Sequence, residues 1–144
     1  MNKKDYRFFE LARQEALHSD FARFHLGCVI VYKGRIIGRG SNSDKTDPLQ
    51  KKYNKERKFN KSGKQPVKHS VHAEIAALKS IPYPIQESID WSRVKVYIFR
   101  ICPGKKLHMG LARPCAGCMK ALRDRGIQKI FYTTNDGYCY EQIF

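Results

Sequence analysis

Long apolar runs are missing from this chain. The N-terminus, MNKKDYRFFELARQEA, is charged throughout, and nowhere in the 144 residues does an apolar stretch reach bilayer-spanning length. That pattern argues against a secretory leader and against a membrane partner, and the expectation is a soluble, cytoplasmic protein. Acidic residues are scarce: 13 Asp and Glu stand against 28 Lys and Arg, a net charge of +15. Such a balance favours a polyanionic partner by long-range attraction, although a solvated basic surface gives the same count. Paired cysteines are also lacking in the arithmetic sense, because five (Cys28, Cys102, Cys115, Cys118, Cys139) is an odd number. Without an export signal, that argues for thiols and metal ligation rather than a disulfide framework. Repeats, low-complexity tracts and domain boundaries are absent as well. Apolar residues are 42% of the chain and spread along it, which suits a single domain over residues 1–144 with a buried core.

What is present organises into alternating elements. Phe9, Ala12, Ala16 and Leu17 follow i, i+3, i+7 and i+8, which predicts an amphipathic first helix with these four on one face. LGCVIVYKGRIIGRG reads as two strands around a Lys33-Gly34 turn. Residues 45–68 have no apolar periodicity and carry nine basic against two acidic residues, which predicts one long basic loop. A helix starts near His72 and stops at Pro82 and Pro84, and VKVYIFRI, apolar almost throughout, predicts a central strand covered on both faces. Cys115, Cys118, Met119 and Leu122 define a further helix, with Pro114 at its entrance and Gly126 as its stop. IQKIFYTT is the next strand. Only eleven residues follow Thr133, too few for a parallel crossover, so NDGYCYEQIF is predicted to turn back at Asp136-Gly137 as an antiparallel hairpin.

Two short stretches carry the chemistry. HSVHAEIAAL places His72 and Glu74 at the mouth of one helix, and RPCAGCMKAL places Cys115 and Cys118 at the mouth of another. Catalytic zinc keeps three protein ligands and an open fourth position, and His72, Cys115 and Cys118 supply three. Cysteines three apart at a helix N-terminus share a face, where unpaired backbone N–H groups favour the thiolate. Glu74 would sit beside the metal without ligating it, where a carboxylate can move protons. Taken singly, His72 and Glu74 could be ordinary helix-terminal residues. The Cys-x-x-Cys pair could also belong to a closed structural site completed by Cys102 and His108, but that alternative gives no role to the His-Ala-Glu triplet.

HAE at His72 to Glu74 with PCAGC at Pro114 to Cys118 resembles the zinc-dependent cytidine and deoxycytidylate deaminase superfamily. The resemblance implies an α/β, three-layer α/β/α cytidine-deaminase-like fold with a mixed five-stranded sheet, from about Tyr6 to the C-terminal hairpin. It implies one zinc ion per chain on His72, Cys115 and Cys118. It also implies hydrolytic attack at the ring carbon bearing the exocyclic amine, with Glu74 as proton shuttle. Asn42, in GRGSNS at the end of the second strand, stands where many members place an asparagine against the substrate sugar. Ala73 and Arg113, which flank the ligands, are further substrate-binding candidates. Arg113 departs from the serine that many nucleic-acid cytosine deaminases carry before Pro-Cys. Superfamily members often pair, so a homo-oligomer is open.

For the substrate, the basic segment with its interleaved Tyr53 and Phe59 points to single-stranded DNA or RNA, with Lys51, Lys52, Lys55, Arg57 and Lys58 on phosphates and the aromatics stacking on bases. The other reading of Tyr53 and Phe59 is as hydrophobic anchors of the loop. Within the superfamily an antiparallel ending looks more like the cytidine deaminases than the tRNA-editing adenosine deaminases, so the resemblance implies cytosine rather than adenine. Free (deoxy)cytidine or its nucleotides, adenine in RNA or DNA, and a non-catalytic zinc-stabilised nucleic-acid-binding module are the alternatives. The stretch CPGKKLHMGLA, Cys102 to Ala112, is expected to wall the entrance.

Overall fold

The computed structural model describes residues 1–57, 68–102 and 108–144. The predicted long loop and the predicted entrance wall therefore fall partly, and Lys58 and Phe59 wholly, outside the described residues. In chain order the elements are α1 (Lys3–Ala16), β1 (His25–Tyr32), β2 (Arg35–Ser41), α2 (Pro48–Tyr53), a 3-10 turn (Asn54–Glu56), α3 (Ala73–Ser80) and α4 (Tyr83–Ser88). A second 3-10 turn (Trp91–Arg93), β3 (Lys95–Cys102), β4 (His108–Met109), α5 (Ala116–Arg125), β5 (Lys129–Thr133) and β6 (Tyr138–Gln142) complete them. No described helix is long and apolar enough to cross a membrane.

The five main strands run β2-β1-β3-β5-β6, and the two-residue β4, not foreseen from the sequence, adds a sixth beside the end of β3. Among the described strands only β3 and β5 are parallel; the other pairings are antiparallel. The β1–β2 hairpin closes through Lys33 (φ 49°) and Gly34 (φ 78°), the two consecutive positive φ values that a tight turn of this twist requires. The final hairpin is antiparallel, as its length demanded.

Strand residues alternate between the two sheet faces, and each face has its own core. Val29, Val31, Tyr97, Phe99 and Phe131 meet α1 through Phe8, Phe9, Ala12 and Ala16. Cys28, Ile30, Val96, Ile98, Ile130 and Tyr132 meet α3 and α5 through Ala73, Ile75, Ala77, Leu78, Cys118 and Leu122. Helices on both faces of one mixed sheet make the three-layer α/β/α arrangement. β3 is the central strand, buried from both sides.

Three sequence expectations change. Leu17 does not join the buried face of α1: the helix ends at Ala16, and Leu17, its C-cap, is 53% exposed. The segment after residue 45 is not a featureless loop. Asp47 caps α2 by accepting from the Leu49 and Gln50 N–H groups, with Pro48 in the first turn, where its missing N–H costs nothing. Pro82 and Pro84 do end α3, but α4 begins at once, with Pro84 tolerated in its first turn.

Candidate active site

Two helix N-termini converge to build the site. His72 is the N-cap of α3 and makes no capping bond of its own; its backbone N–H donates to Gln50 Oε1 at 2.9 Å, which leaves the imidazole to point elsewhere. Cys115 is the N-cap of α5, and its Sγ accepts the Cys118 N–H at 3.5 Å. Gly117 lies between the cysteines because α2 ends against this turn: a Cβ there would stand 2.6 Å from the Tyr53 carbonyl oxygen. α3 approaches β2 equally closely, since a Cβ on Gly40 would lie 2.6 Å from the Ala77 nitrogen.

The imidazole Nδ1 of His72 stands 3.3 Å from Cys118 Sγ and 3.6 Å from Cys115 Sγ, and the three donor atoms lie within 4.8 Å of one another. Tetrahedral zinc, with Zn–N near 2.0–2.1 Å and Zn–S near 2.3 Å, spaces its donors by about 3.6 to 3.8 Å. One imidazole and two thiols at this spacing therefore fit the ion. Among the described residues no other group of three His, Cys, Asp or Glu side chains offers such a cluster. Cys102 and His108 face each other on β3 and β4 and stay outside it, so neither completes a closed structural site.

Among the three donors, electrostatics favour the deprotonated, ligating form at Cys115 alone. The Cys118 hydrogen bond, helped by His72, holds the Cys115 thiol down at about 3 against the effect of burial. The same bond, with burial, pushes the Cys118 thiol well up. For His72, burial opposes the charged form, but the hydrogen bond to Cys115 and the charges of Glu74 and Cys115 outweigh it and raise its pKa. Glu74 is 4% exposed, and burial raises its carboxyl above the usual range. A carboxyl that holds its proton more tightly than normal is suited to exchange one near neutral pH.

Above the triad opens a cavity of about 450 Å³, large enough for a nucleotide. His72, Glu74 and Cys115 line it, as do Asn42 and Arg113, and Glu74 is the one carboxylate among the described lining residues. Asn42 is buried, and its side chain is anchored: Oδ1 accepts from the Leu26 N–H and from Ser19 Oγ, and Nδ2 donates to the Phe24 carbonyl. Arg113 is exposed and held by a bidentate pair with Glu141, at 3.0 and 3.1 Å, whose Oε1 also accepts from the Tyr132 hydroxyl. Ala73 is fully buried in the α3-side core and does not line the cavity.

The basic candidates divide. Arg57 lines the cavity, with Nη1 3.4 Å from His72 Nε2. Lys51, Lys52 and Lys55 are exposed on α2 and the following turn, outside the cavity wall. Tyr53 is 7% exposed, packed in the core with its hydroxyl donating to Asp124 at 2.9 Å; it anchors the segment and is not a stacking platform.

Several lining residues had no signal in the sequence. Phe21, Arg23 and Phe24 come from the α1–β1 connection, and Arg100, from β3, lays its guanidinium 4.5 Å over the Phe24 ring. Gln50 and Asn54 were hidden in the charge run. They form a buried polar scaffold, with Gln50 Nε2 donating to Asn54 Oδ1 at 2.8 Å and Asn54 Nδ2 meeting His69 Nδ1 at 2.9 Å. Only the Asp-Pro cap signal could have revealed them.

Comparison with known proteins agrees with this geometry. No curated protein matches the chain. Its fold is similar to that of the dCMP deaminase from the cyanophage S-TIM5 in apo form, at 19% identity and TM-score 0.59, covering 93% of this chain and 86% of that one. It is similar, too, to cytidine deaminase from Burkholderia pseudomallei, at 15% identity and TM-score 0.58, covering 99% and 93%. The sequence matches the family described as the cytidine and deoxycytidylate deaminase zinc-binding region over residues 2–134. With the motif, the donor triad and the match over most of its length in agreement, the chain belongs to this family of zinc-dependent hydrolytic deaminases.

Proposed function

We propose that this deaminase converts cytosine to uracil in single-stranded DNA or RNA, in the cytoplasm. The observation that carries the reading is the charge of the cavity wall: Arg23, Arg57 and Arg100, with Lys68 and Arg113 beside them in ion pairs with Asp44 and Glu141, surround an opening whose one carboxylate among the described lining residues is Glu74. One phosphate group needs fewer cations than that. The exposed Lys51, Lys52 and Lys55 extend the positive field beyond the mouth, along the path that flanking phosphates would take.

His72, Cys115 and Cys118 would hold the zinc ion, which lowers the pKa of a bound water and neutralises charge developing beside it. The protein's own residues do the rest. Glu74, buried and short of solvent, carries a proton to the ring nitrogen next to the amine-bearing carbon and then to the departing ammonia, so that cytosine and water become uracil and ammonia. The Phe24 ring, covered on one side by Arg100, gives the cavity an apolar wall for a flat base, and Asn42 fixes the loop that carries it.

A second reading takes a free cytidine nucleotide as substrate. The S-TIM5 dCMP deaminase in complex with dCMP and dUMP, 18% identical with a TM-score of 0.59 over 93% of this chain and 84% of that one, supports it. Mass spectrometry of products separates the two, using zinc-loaded protein with single-stranded DNA, RNA and a pool of nucleosides and nucleotides. Conversion in the polymer is expected, with Glu74→Gln slower by about 10²- to 10⁴-fold. Conversion confined to the free pool would establish the second reading.

A further inference from the structure

At the far end of the sheet from the zinc triad, a hollow of about 290 Å³ is lined by Lys4, Lys33, Arg93, Lys95 and Lys129. Its acidic member, Asp5, is 5% exposed and already engaged, accepting from the Tyr97 hydroxyl and from the Asn2 N–H that closes the capping box of α1. Among the described residues none of these five cations has an ion-pair partner, and the Lys33 ammonium lies 5.4 Å over the Tyr32 ring. Lys95 and Lys129 are register partners on the parallel β3–β5 ladder. Like charges placed opposite each other in a sheet repel, which destabilises the fold unless an anion lies between them.

A second hollow of about 300 Å³ shares Lys95 and Lys129 and adds Met1, Phe131 and Tyr140. Tyr140 is 45% exposed, with its ring 4.8 Å from that of Phe131, and Tyr138, two residues earlier on the same side of the edge strand β6, is 38% exposed, with its ring 4.4 Å from that of Phe9 and 5.5 Å from that of Tyr6. Cations that hold phosphates beside partly exposed aromatic rings are what a single strand needs and a mononucleotide does not. Of the hollow's uncharged polar groups, Asn2 Oδ1 accepts from the Asp5 N–H and the Tyr97 hydroxyl donates to Asp5, so the cations dominate what the hollow offers a ligand.

β6 also joins this end to the catalytic end. Tyr138 pairs with Thr133, whose Oγ1 accepts from the N–H of the cavity residue Arg100, and Gln142 pairs with Lys129. From Thr133 to Lys129 is four residues, about 13 Å of strand. We propose that a single-stranded polynucleotide with its cytosine in the catalytic cavity continues along the β6 edge, stacks on Tyr140 and Tyr138, and lays its phosphates on Lys129, Lys95, Arg93 and Lys4. This rests on the polynucleotide reading of the active site.

Fluorescence anisotropy with labelled thymine-only strands tests the surface apart from the chemistry. The wild type binds a twenty-nucleotide strand more tightly than a four-nucleotide one. In the double variant Lys95→Gln, Lys129→Gln the long strand binds about tenfold more weakly, and the slope of log affinity against log salt flattens by about 1.4, which is about 0.7 for each phosphate contact. Tyr140→Ser weakens the long strand by about tenfold at an unchanged salt slope, since stacking carries no counterion release. Circular dichroism confirms that each variant folds. Unchanged affinity and slope in the folded double variant overturn the proposal. So does inorganic phosphate matching the long strand in raising Tm, which would assign the hollow to free phosphate. Sedimentation showing that Tyr140→Ser splits a dimer while strand binding stays intact would also overturn it and give the edge to a second copy of the chain. Tight, length-dependent binding without conversion of any cytosine supports this surface and rejects the polymer as substrate, so the two readings fail separately.

Discussion

The two faces of the sheet are covered in opposite styles. On the α1 face the packing is aromatic: Phe9 meets Tyr97 edge-on at 5.4 Å, Tyr97 stacks on Phe131 at 4.5 Å, and the helix contributes the small residues Ala12 and Ala16 beneath the rings. The charged side chain buried there among the described residues, Asp5, accepts from the Tyr97 hydroxyl and the Asn2 N–H. On the α3 and α5 face the packing is mainly aliphatic and close, with Ala73, Ala77 and Ala121 at the contacts and, among the described residues, no aromatic stack. Glu74, Cys118, Gln50 and Asn54 are all buried on that side. Buried polar groups are costly and must be hydrogen-bonded or bound to metal. The difference suggests a division of labour: the aromatic face supplies stability, and the other face spends its interior on chemistry.

The sharpest way to break that comparison is to damage each face in turn. Phe9→Ala removes a fully buried ring from three aromatic neighbours and should destabilise the protein by about 3–5 kcal/mol, read by denaturant or thermal melting. Zinc bound in the variant before it melts should support normal turnover per folded molecule. A cost below about 1 kcal/mol would mean that stability is shared evenly between the faces.

Gln50→Ala strikes the other face and leaves all three ligand side chains in place. The His72 N–H loses its acceptor and Asn54 Oδ1 its shorter donor, leaving it the longer bond from Arg57, at a cost of about 1–3 kcal/mol. Its signature lies in function: His72 loses the bond that fixes the start of α3, so zinc affinity should fall by about 10- to 100-fold, measured by chelator competition. Destabilisation with unaltered zinc affinity would reduce Gln50 to packing and erase the asymmetry between the faces.

The same contrast explains what was legible in the sequence. The ligand motifs read clearly because each is local: His72 with Glu74, and Cys115 with Cys118, lie within one turn of chain, and helix entrances place such pairs without help from the rest of the fold. The β1–β2 and β5–β6 hairpins were equally local, fixed by Lys33-Gly34 and Asp136-Gly137. Gln50 and Asn54 did not read, because nine basic residues hid the apolar pair Leu49 and Tyr53 that seats α2. Phe21, Arg23, Phe24 and Arg100 reach the cavity by tertiary approach of a connection and a strand end, and no spacing rule contains that. α4 was missed because Pro82 and Pro84 were weighed as helix stops and not as a permitted first turn.

The smallest effect concerns the cap that holds the hidden scaffold in place. Asp47 accepts from the Leu49 and Gln50 N–H groups and from the Lys79 ammonium, which ties α2 to α3. Burial alone would raise its pKa, but these hydrogen bonds outweigh it and hold the carboxyl below the usual range. Its stabilisation is therefore complete above the unfolded value, about 3.9, and fades as pH falls through the lower folded value. Asp47→Ala should cost about 1 kcal/mol at neutral pH, the usual worth of a helix cap. The wild-type and variant melting curves should converge as the medium is acidified below about pH 4. Because the cap lies one residue from α2 and three from Gln50, some of that cost should appear as looser zinc, a smaller version of the Gln50→Ala effect. A pH-independent difference between the two proteins would mean that the side chain acts through packing, and α2 would then hold Gln50 in place without an electrostatic tether.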